Sequence, residues 1–341
     1  MERRQPPFFQ PAYNAPHRLR RTTTNMPPPP PFQSDFSRRC EAAKLKPFIT
    51  EQPLEGDPDL AWVNFRRPLL RVCPLALPIT WEEKLGLGVD GIAWRVRIGE
   101  KIYAVKVVSF RAEDHCPPCL CSLTSSLFWD DVAPPGFRYW AVQRESHNVA
   151  LLQLIQVSVK TSEEPIYLKP DPRTKDDAII NLFAFSQEGR KEKPSEALSD
   201  RIAISSTPRL RECFGWIKVS GRELHSLPRD LRPSTMRLNR KTREMREILI
   251  SKEYYAIVYE YIPQDIPPLD NEAVQSGLDF LWLSGLCFGN TRPENWVGGI
   301  LLDMADFACP WSPGWARASY RRVEASATTQ NVFTGAAAAK Q

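Results

Sequence analysis

The chain has 341 residues, 42% hydrophobic and 25% charged, which is enough for a sizeable core and excludes a wholly disordered or fibrous protein. Its formal net charge of +5 is only mildly basic, so the composition accommodates an acidic partner without requiring one. No apolar run approaches the ~18 residues of a membrane span, and Met1-Glu-Arg-Arg-Gln-Pro-Pro has no apolar signal-like stretch; neither a membrane partner nor secretion is expected.

Proline accounts for 32 residues, and the run Pro27 to Pro31 lies in a basic N-terminal stretch with Arg3, Arg4, Arg18, Arg20, Arg21, Arg38 and Arg39. Such a segment buries too little apolar surface to offset its chain entropy, so residues 1–57 are predicted to be a disordered arm. The domain is predicted over 58–325, with a first lobe over about 75–262 and a reduced second lobe over about 263–325; residues 326–341 form a low-complexity tail.

Within the domain, Thr80-Trp-Glu-Glu-Lys-Leu leads into Gly86-Leu-Gly-Val-Asp-Gly91, a tight glycine-rich turn. Ile92 to Ile98 then alternates with period two, Gly99-Glu-Lys turns the chain, and Ile102 to Phe110 is a second strand rich in β-branched residues. Pro117 to Pro135 reads as irregular, and Phe137 to Ile155 as a helix. Gln187 to Glu196 is a polar surface loop, and Arg211 to Gly221 a strand with a turn. Arg229 to Arg246 carries seven Arg or Lys against two acids and is predicted to be an exposed basic loop and helix. Tyr254 to Ile262 reads as a buried strand, Asp270 to Ser284 as an amphipathic helix, and Asn295 to Asp303 as a hairpin around Gly298-Gly299.

Gly86-x-Gly88-x-x-Gly91 alone is weak, because the same spacing opens dinucleotide sites. There, however, the glycines lead into a helix, and here they lead into a strand that turns back as another strand. Strand, glycine loop, strand is the protein-kinase arrangement, in which backbone N–H groups face nucleotide phosphates. Ala104-Val-Lys106 on the second strand matches the kinase lysine that contacts the phosphates, and Glu145 stands where a kinase helix supplies the lysine's carboxylate partner. Taken singly, each has a plainer reading: an edge-strand lysine and a solvated helix-face glutamate.

Ser284 to Asn295 matches the kinase catalytic loop at Gly285, Leu286, Arg292, Pro293, Glu294 and Asn295. It departs where Phe288 replaces His, Gly289 replaces Arg and Asn290 replaces the catalytic Asp. A carboxamide has no basicity comparable to a carboxylate, so proton removal by the usual route is lost at Asn290. Asn295 and Asp303 are the expected magnesium positions, with Asp306 of Asp306-Phe-Ala the runner-up. The hairpin sets Asn295 opposite Leu302, which brings Asp303 next to it. ATP with magnesium is the cofactor such a site takes. Only 38 residues follow Asp303, and no A-P-E segment is among them, so a small second lobe is expected.

These features resemble the fungal inner-kinetochore proteins called Fta-two, a subunit of the Sim-four complex and a compact offshoot of the protein-kinase fold. The likeness covers roughly residues 78–320. It rests on the Gly86 to Val108 hairpin, Glu145, Tyr255-Ala-Ile-Val-Tyr-Glu-Tyr, and Asn295-Trp-Val-Gly-Gly-Ile-Leu-Leu-Asp303-Met-Ala closed by Pro310. The resemblance implies a nuclear, centromere-associated scaffold that binds other subunits of its complex.

The fold class expected is therefore α+β, a shortened two-lobed kinase-like fold, and the function that of a non-catalytic scaffold. One alternative is a small active ATP-dependent phosphotransferase with a displaced base, Asp303 or Asp306. A second is a nucleic-acid-binding protein that engages DNA or another acidic partner through Arg229 to Arg246 and the arm. His115-Cys116-Pro-Pro-Cys119-Leu-Cys121 suggests zinc, but Cys213, Cys287 and Cys309 stand alone and supply no second ligand pair. Eight cysteines without framework spacing read as reduced thiols in a nuclear or cytoplasmic protein.

Overall fold

The computed structural model describes residues 42–43, 45–75, 78–87, 91–111, 141–192, 200–237, 245–263, 270–288 and 293–325. All of them fall in the compact unit Asp35–Gln341. Gly88, Asn290, Arg292 and the His115 to Cys121 cluster lie outside the described residues, as does the Pro117 to Pro135 stretch.

The protein is mixed α/β. In chain order its first elements are β1 (Ile49–Pro53), α1 (Trp62–Arg66), β2 (Leu70–Val72), β3 (Ile79–Leu87), β4 (Gly91–Ile98), β5 (Lys101–Arg111) and α2 (Ala141–Thr161). There follow β6 (Ile166–Leu168), α3 (Lys175–Phe183), α4 (Gln187–Lys191), β7 (Ile202–Ile204), β8 (Cys213–Ser220) and α5 (Gly221–Ser226). The two-residue strands β9 (Met236–Arg237) and β10 (Met245–Arg246) precede β11 (Glu253–Glu260) and α6 (Asn271–Leu283). Four short strands complete the series: β12 (Cys287–Phe288), β13 (Trp296–Val297), β14 (Ile300–Leu301) and β15 (Phe307–Ala308). Among the described residues no helix is long and apolar enough to cross a membrane.

One seven-stranded sheet runs β1-β2-β8-β11-β5-β4-β3. From β8 to β3 every pairing is antiparallel, and β2 and β1 extend the β8 edge in parallel. The period of two sorts each strand's side chains onto opposite faces. On β11, Tyr254, Ala256 and Val258 join Trp81, Trp94, Val96 and Val105 in one core, whereas Tyr255, Ile257 and Tyr259 face the core built with α2 and α6. Lys106 stands on the α2 side, opposite Ile257 and Ala93. A slip of one residue would drive it into the tryptophan core, at the cost of an unpaired buried charge.

Local chemistry fixes the ends of α3 and α6. Asp270 accepts from Glu272 N (3.0 Å) and Ala273 N (3.1 Å) to start α6, a cap worth about 1 kcal/mol. Thr174 and Asp177 form a reciprocal capping box on α3. Gly285 ends α6 with φ +89°, and a Cβ there would come within 2.6 Å of the Ala178 carbonyl, so only glycine lets α3 lie against the end of α6.

Two sequence expectations are corrected. The arm does not extend to residue 57: Phe48 is fully buried and Ile49–Pro53 is the outer strand of the sheet. The proline-rich composition comes from residues further upstream, such as Pro27 to Pro31, and the strand's one proline, Pro53, stands at the end of an edge strand, where proline is tolerated. The polar stretch after Gln187 begins as a short helix, capped by Ser186 and held by Glu188, whose carboxylate accepts from Trp62 N at 2.8 Å. The expected basic helix in Arg229 to Arg246 falls partly on 238–244, which lie outside the described residues; on either side of them Met236–Arg237 pairs antiparallel with Met245–Arg246, and the other described residues are not helical.

Candidate functional site

Beneath the β3–β4 hairpin lies a cleft of about 340 Å³. Leu85, Ala93 and Ile262 give it an apolar wall, and Lys106, Asn295 and Asp303 a polar end. Its residues come from β3, β4, β5, the segments next to β8 and β11, and the flanks of the β13–β14 hairpin, so segments far apart in sequence meet here through the sheet.

Lys106 Nζ is 2.8 Å from Glu145 Oε2 and 3.0 Å from Asp303 Oδ1. Glu145 is fully buried, Lys106 retains 13% side-chain exposure and Asp303 26%. Glu145 Oε1 also accepts the Tyr259 hydroxyl at 2.7 Å. Burial raises the Glu145 pKa despite Lys106 beside it, and burial likewise holds the Tyr259 phenol well above its usual range. Asp303 is shifted the other way. Burial would raise it, but the Lys106 ammonium, the Ala305 N–H (3.0 Å) and the nearby Arg144 charge together lower it. Of the two carboxylates, Asp303 is the firmer anion.

The Asp303 loop is held by α2. Arg144 Nε donates to the Ala305 carbonyl at 3.1 Å, and Asn148 Nδ2 donates to the carbonyls of Met304 (2.8 Å) and Phe307 (2.7 Å). Residues 144, 145 and 148 share one helix face, so the helix that supplies the glutamate also clamps the loop that supplies the aspartate. Arg211 closes the rear. Its guanidinium lies 4.5 Å from the Tyr259 ring centre and donates to the carbonyls of Glu260 (3.0 Å) and Leu302 (3.0 Å). The sequence reading missed Tyr259, Arg211, Arg144 and Asn148. Only Asn148 carried a usable signal, its spacing of three from Glu145.

The hairpin turns as expected. Gly298 (φ +53°) and Gly299 (φ +81°) form its tip, and Leu302 N donates to the Asn295 carbonyl at 2.7 Å. The two aspartates divide between two partners: Asp303 meets Lys106, while Asp306 accepts from the Asn295 carboxamide. Of the glycines, Gly86 and Gly91 line the cleft. A Cβ at Gly91 would sit 2.7 Å from the Val107 carbonyl, whereas one at Gly86 would meet nothing within 4 Å, so close backbone packing requires glycine only at Gly91.

Asp303 and Asn295 present hard oxygen donors of the kind magnesium takes alongside phosphate oxygens and water. Among the described residues no three His, Cys, Asp or Glu side chains gather as a metal site of their own. Burial raises the pKa values of Cys73, Cys213, Cys287 and Cys309, which makes these thiols packing residues with little nucleophilic character. Comparison of the chain with protein-family models, with curated proteins and with solved structures gives no match.

Proposed function

We propose that this chain is a shortened, two-lobed kinase-like protein that works as a non-catalytic interaction module with a nucleotide-sized cleft. The observation that carries this reading is Lys106 held between Glu145 and Asp303, at 2.8 and 3.0 Å, under a glycine hairpin. Strand order supports it as well. β3, β4 and β5 are consecutive, α2 crosses over to deliver Glu145, and β8 and β11 complete the antiparallel part of the sheet, which is how a kinase amino-terminal lobe brings its lysine and helix glutamate together. When magnesium and a nucleotide are bound, the metal would neutralise phosphate charge. Lys106 would then orient the phosphates, with Asp303 and Asn295 as the metal's protein oxygens.

Loss of phosphoryl transfer follows from the proton acceptors available. Asn290 occupies the base position in the motif, Asp303 is tied to Lys106 and held ionised, and Asp306 is engaged by Asn295. A carboxylate with a depressed pKa is a poor proton acceptor. The likeness to Fta-two extends the reading to a scaffold subunit of a fungal inner-kinetochore complex, and its support is the motif set of the Gly86 hairpin and the Asn295 to Asp303 turn.

The test is a thermal shift with ATP and magnesium, followed by a γ-phosphate transfer assay on the full chain. The expected result is no transfer, with any nucleotide-dependent rise in melting temperature lost in Lys106→Ala. Turnover that disappears in Asp303→Ala would overturn the proposal in favour of an active phosphotransferase.

A further inference from the structure

A second hollow, of about 580 Å³, lies between α1, the start of α3, the first turns of α2 and the turn at 309–313. Among the described residues its charged lining is of one sign: Lys46, Arg66, Arg67 and Lys175, with no aspartate or glutamate. All four cations are exposed at the rim, and among the described residues none of them makes an ion pair. The deeper wall is apolar and buried, with Pro68, Cys309 and Pro310, and Leu45 stands 74% exposed at the lip. Trp311 closes one side, fixed by its Nε1 donating to the Phe65 carbonyl at 2.8 Å. His147 also lines the hollow; burial pushes its pKa down to about 4, so it is neutral at physiological pH and the cationic charge belongs to the rim.

A cationic rim around an apolar floor specifies a ligand with the inverse pattern. Acidic groups would satisfy the rim, where arginine can grip a carboxylate in bidentate fashion. A bulky apolar side chain would fill the floor and cover Leu45 and Trp311. A nucleic-acid backbone satisfies the rim but leaves the buried floor unfilled, and a small free anion does the same. We infer that this cavity is a docking site for a short acidic segment of a partner protein that carries one bulky apolar anchor residue. The inference rests on this cavity alone and stands whether or not the cleft at Lys106 takes a nucleotide.

Selection from a random-peptide display library against the full chain tests it directly, with the library peptides as the probe. The expected outcome is enrichment of peptides with two or more Asp or Glu flanking a Phe, Trp, Leu or Ile. Their affinity, read by fluorescence anisotropy, should fall at least tenfold in the double variant Arg66→Glu, Lys175→Glu, whose melting temperature stays close to that of the parent. Replacing the anchor residue of a selected peptide by Ala should cost a further tenfold or more. A selection that yields no peptides, peptides without acids, binding that survives the double variant, or displacement by single-stranded oligonucleotide at lower concentration than by the selected peptide would each overturn the proposal. Should the double variant melt far below the parent, Arg67→Gln alone, on the same peptides, serves as the arm that must lose affinity.

Discussion

The two hollows of this protein treat charge in opposite ways. At the polar end of the cleft, charges have their counterparts built into the walls: Lys106 lies between Glu145 and Asp303, and the Asn295 carboxamide is turned to Asp306. In the hollow beside α1 four cations crowd one rim, and no carboxylate answers them among the described lining residues. Internal pairing ties Lys106, Glu145 and Asp303 to folding, because these charges are largely desolvated and each partner is needed by the other. Rim charges in water cost little and contribute little to stability, so they remain available to something outside the chain. Substitutions in the two places should therefore have effects of very different size.

The largest effect is expected at Glu145. Glu145→Ala leaves the Tyr259 hydroxyl buried without its acceptor and Lys106 with one carboxylate instead of two. Removing one member of a buried charged network costs about 3 kcal/mol, to be read as a fall in the urea midpoint at unchanged slope. Glu145→Gln, which keeps an acceptor for Tyr259, should lose about half as much. Equal stability of Glu145→Ala and the parent would mean that the cleft's charges are not structural, and the contrast between the hollows would fail.

Asp303→Asn should cost less, about 1–2 kcal/mol, since Lys106 keeps Glu145 and the Ala305 N–H keeps an oxygen acceptor. Its signature lies in the pH dependence. The folded Asp303 pKa is below the ordinary carboxylate value, so the unfolded chain takes up the proton first as pH falls. The stability it contributes is complete above about pH 5 and drains away as pH falls through the carboxylate range. The Asn variant should show a shallower acid limb than the parent in denaturation midpoints from about pH 6 to about pH 3.

How much of this is legible in the sequence differs between the same regions. Period-two alternation in Ile92 to Ile98 and the β-branched run of Ile102 to Phe110 announce β4 and β5, and the glycine pair announces the β13–β14 turn, because those signals are local. Lys106, Glu145 and Asp303 can be singled out by order along the chain, and the register of β5 on β11 brings the lysine to the correct face. Arg211 and Tyr259 are illegible. Their roles depend on a guanidinium reaching two backbone carbonyls and on a hydroxyl reaching across to α2, and neither leaves a pattern of spacing. The hollow at Lys46 is illegible for the same reason, its rim being drawn from separate stretches, one of which composition assigns to the arm. β1 shows how composition misleads: proline content argues for disorder, and the burial of Phe48 with an edge pairing to β2 outweighs it.

His147 joins the two halves of the comparison, because it lines the cationic hollow yet carries no charge there. Burial, with Lys46 nearby, depresses its pKa to about 4 from an ordinary 6.5, against a weaker opposing contact with the Pro47 carbonyl at 3.3 Å. The folded pKa lies below the unfolded one, so its contribution to stability is complete above pH 6.5 and is lost as pH falls toward 4. Its ring is partly accessible, which limits the loss to about 1–2 kcal/mol. His147→Gln should flatten the melting temperature between about pH 6.5 and about pH 4.5 while leaving the cleft variants' acid limb below about pH 4 unchanged.

The smallest effect is expected at the rim, and its sign is informative. Lys175 is the first residue of α3, where the exposed N–H groups make a cation unfavourable by about 0.3–1 kcal/mol. Its ammonium also lies 5.9 Å from the Trp315 ring centre, a contact worth about 0.5 kcal/mol at an exposed site. These contributions oppose one another, so Lys175→Glu should leave the denaturation midpoint within about 0.5 kcal/mol of the parent, or raise it slightly. A loss above about 1.5 kcal/mol would assign Lys175 to the fold and would end the distinction between paired and available charge. A neutral or stabilising outcome would mean that a cation stands at a helix start where stability does not need it, which is the circumstance expected of a residue kept for an acidic partner.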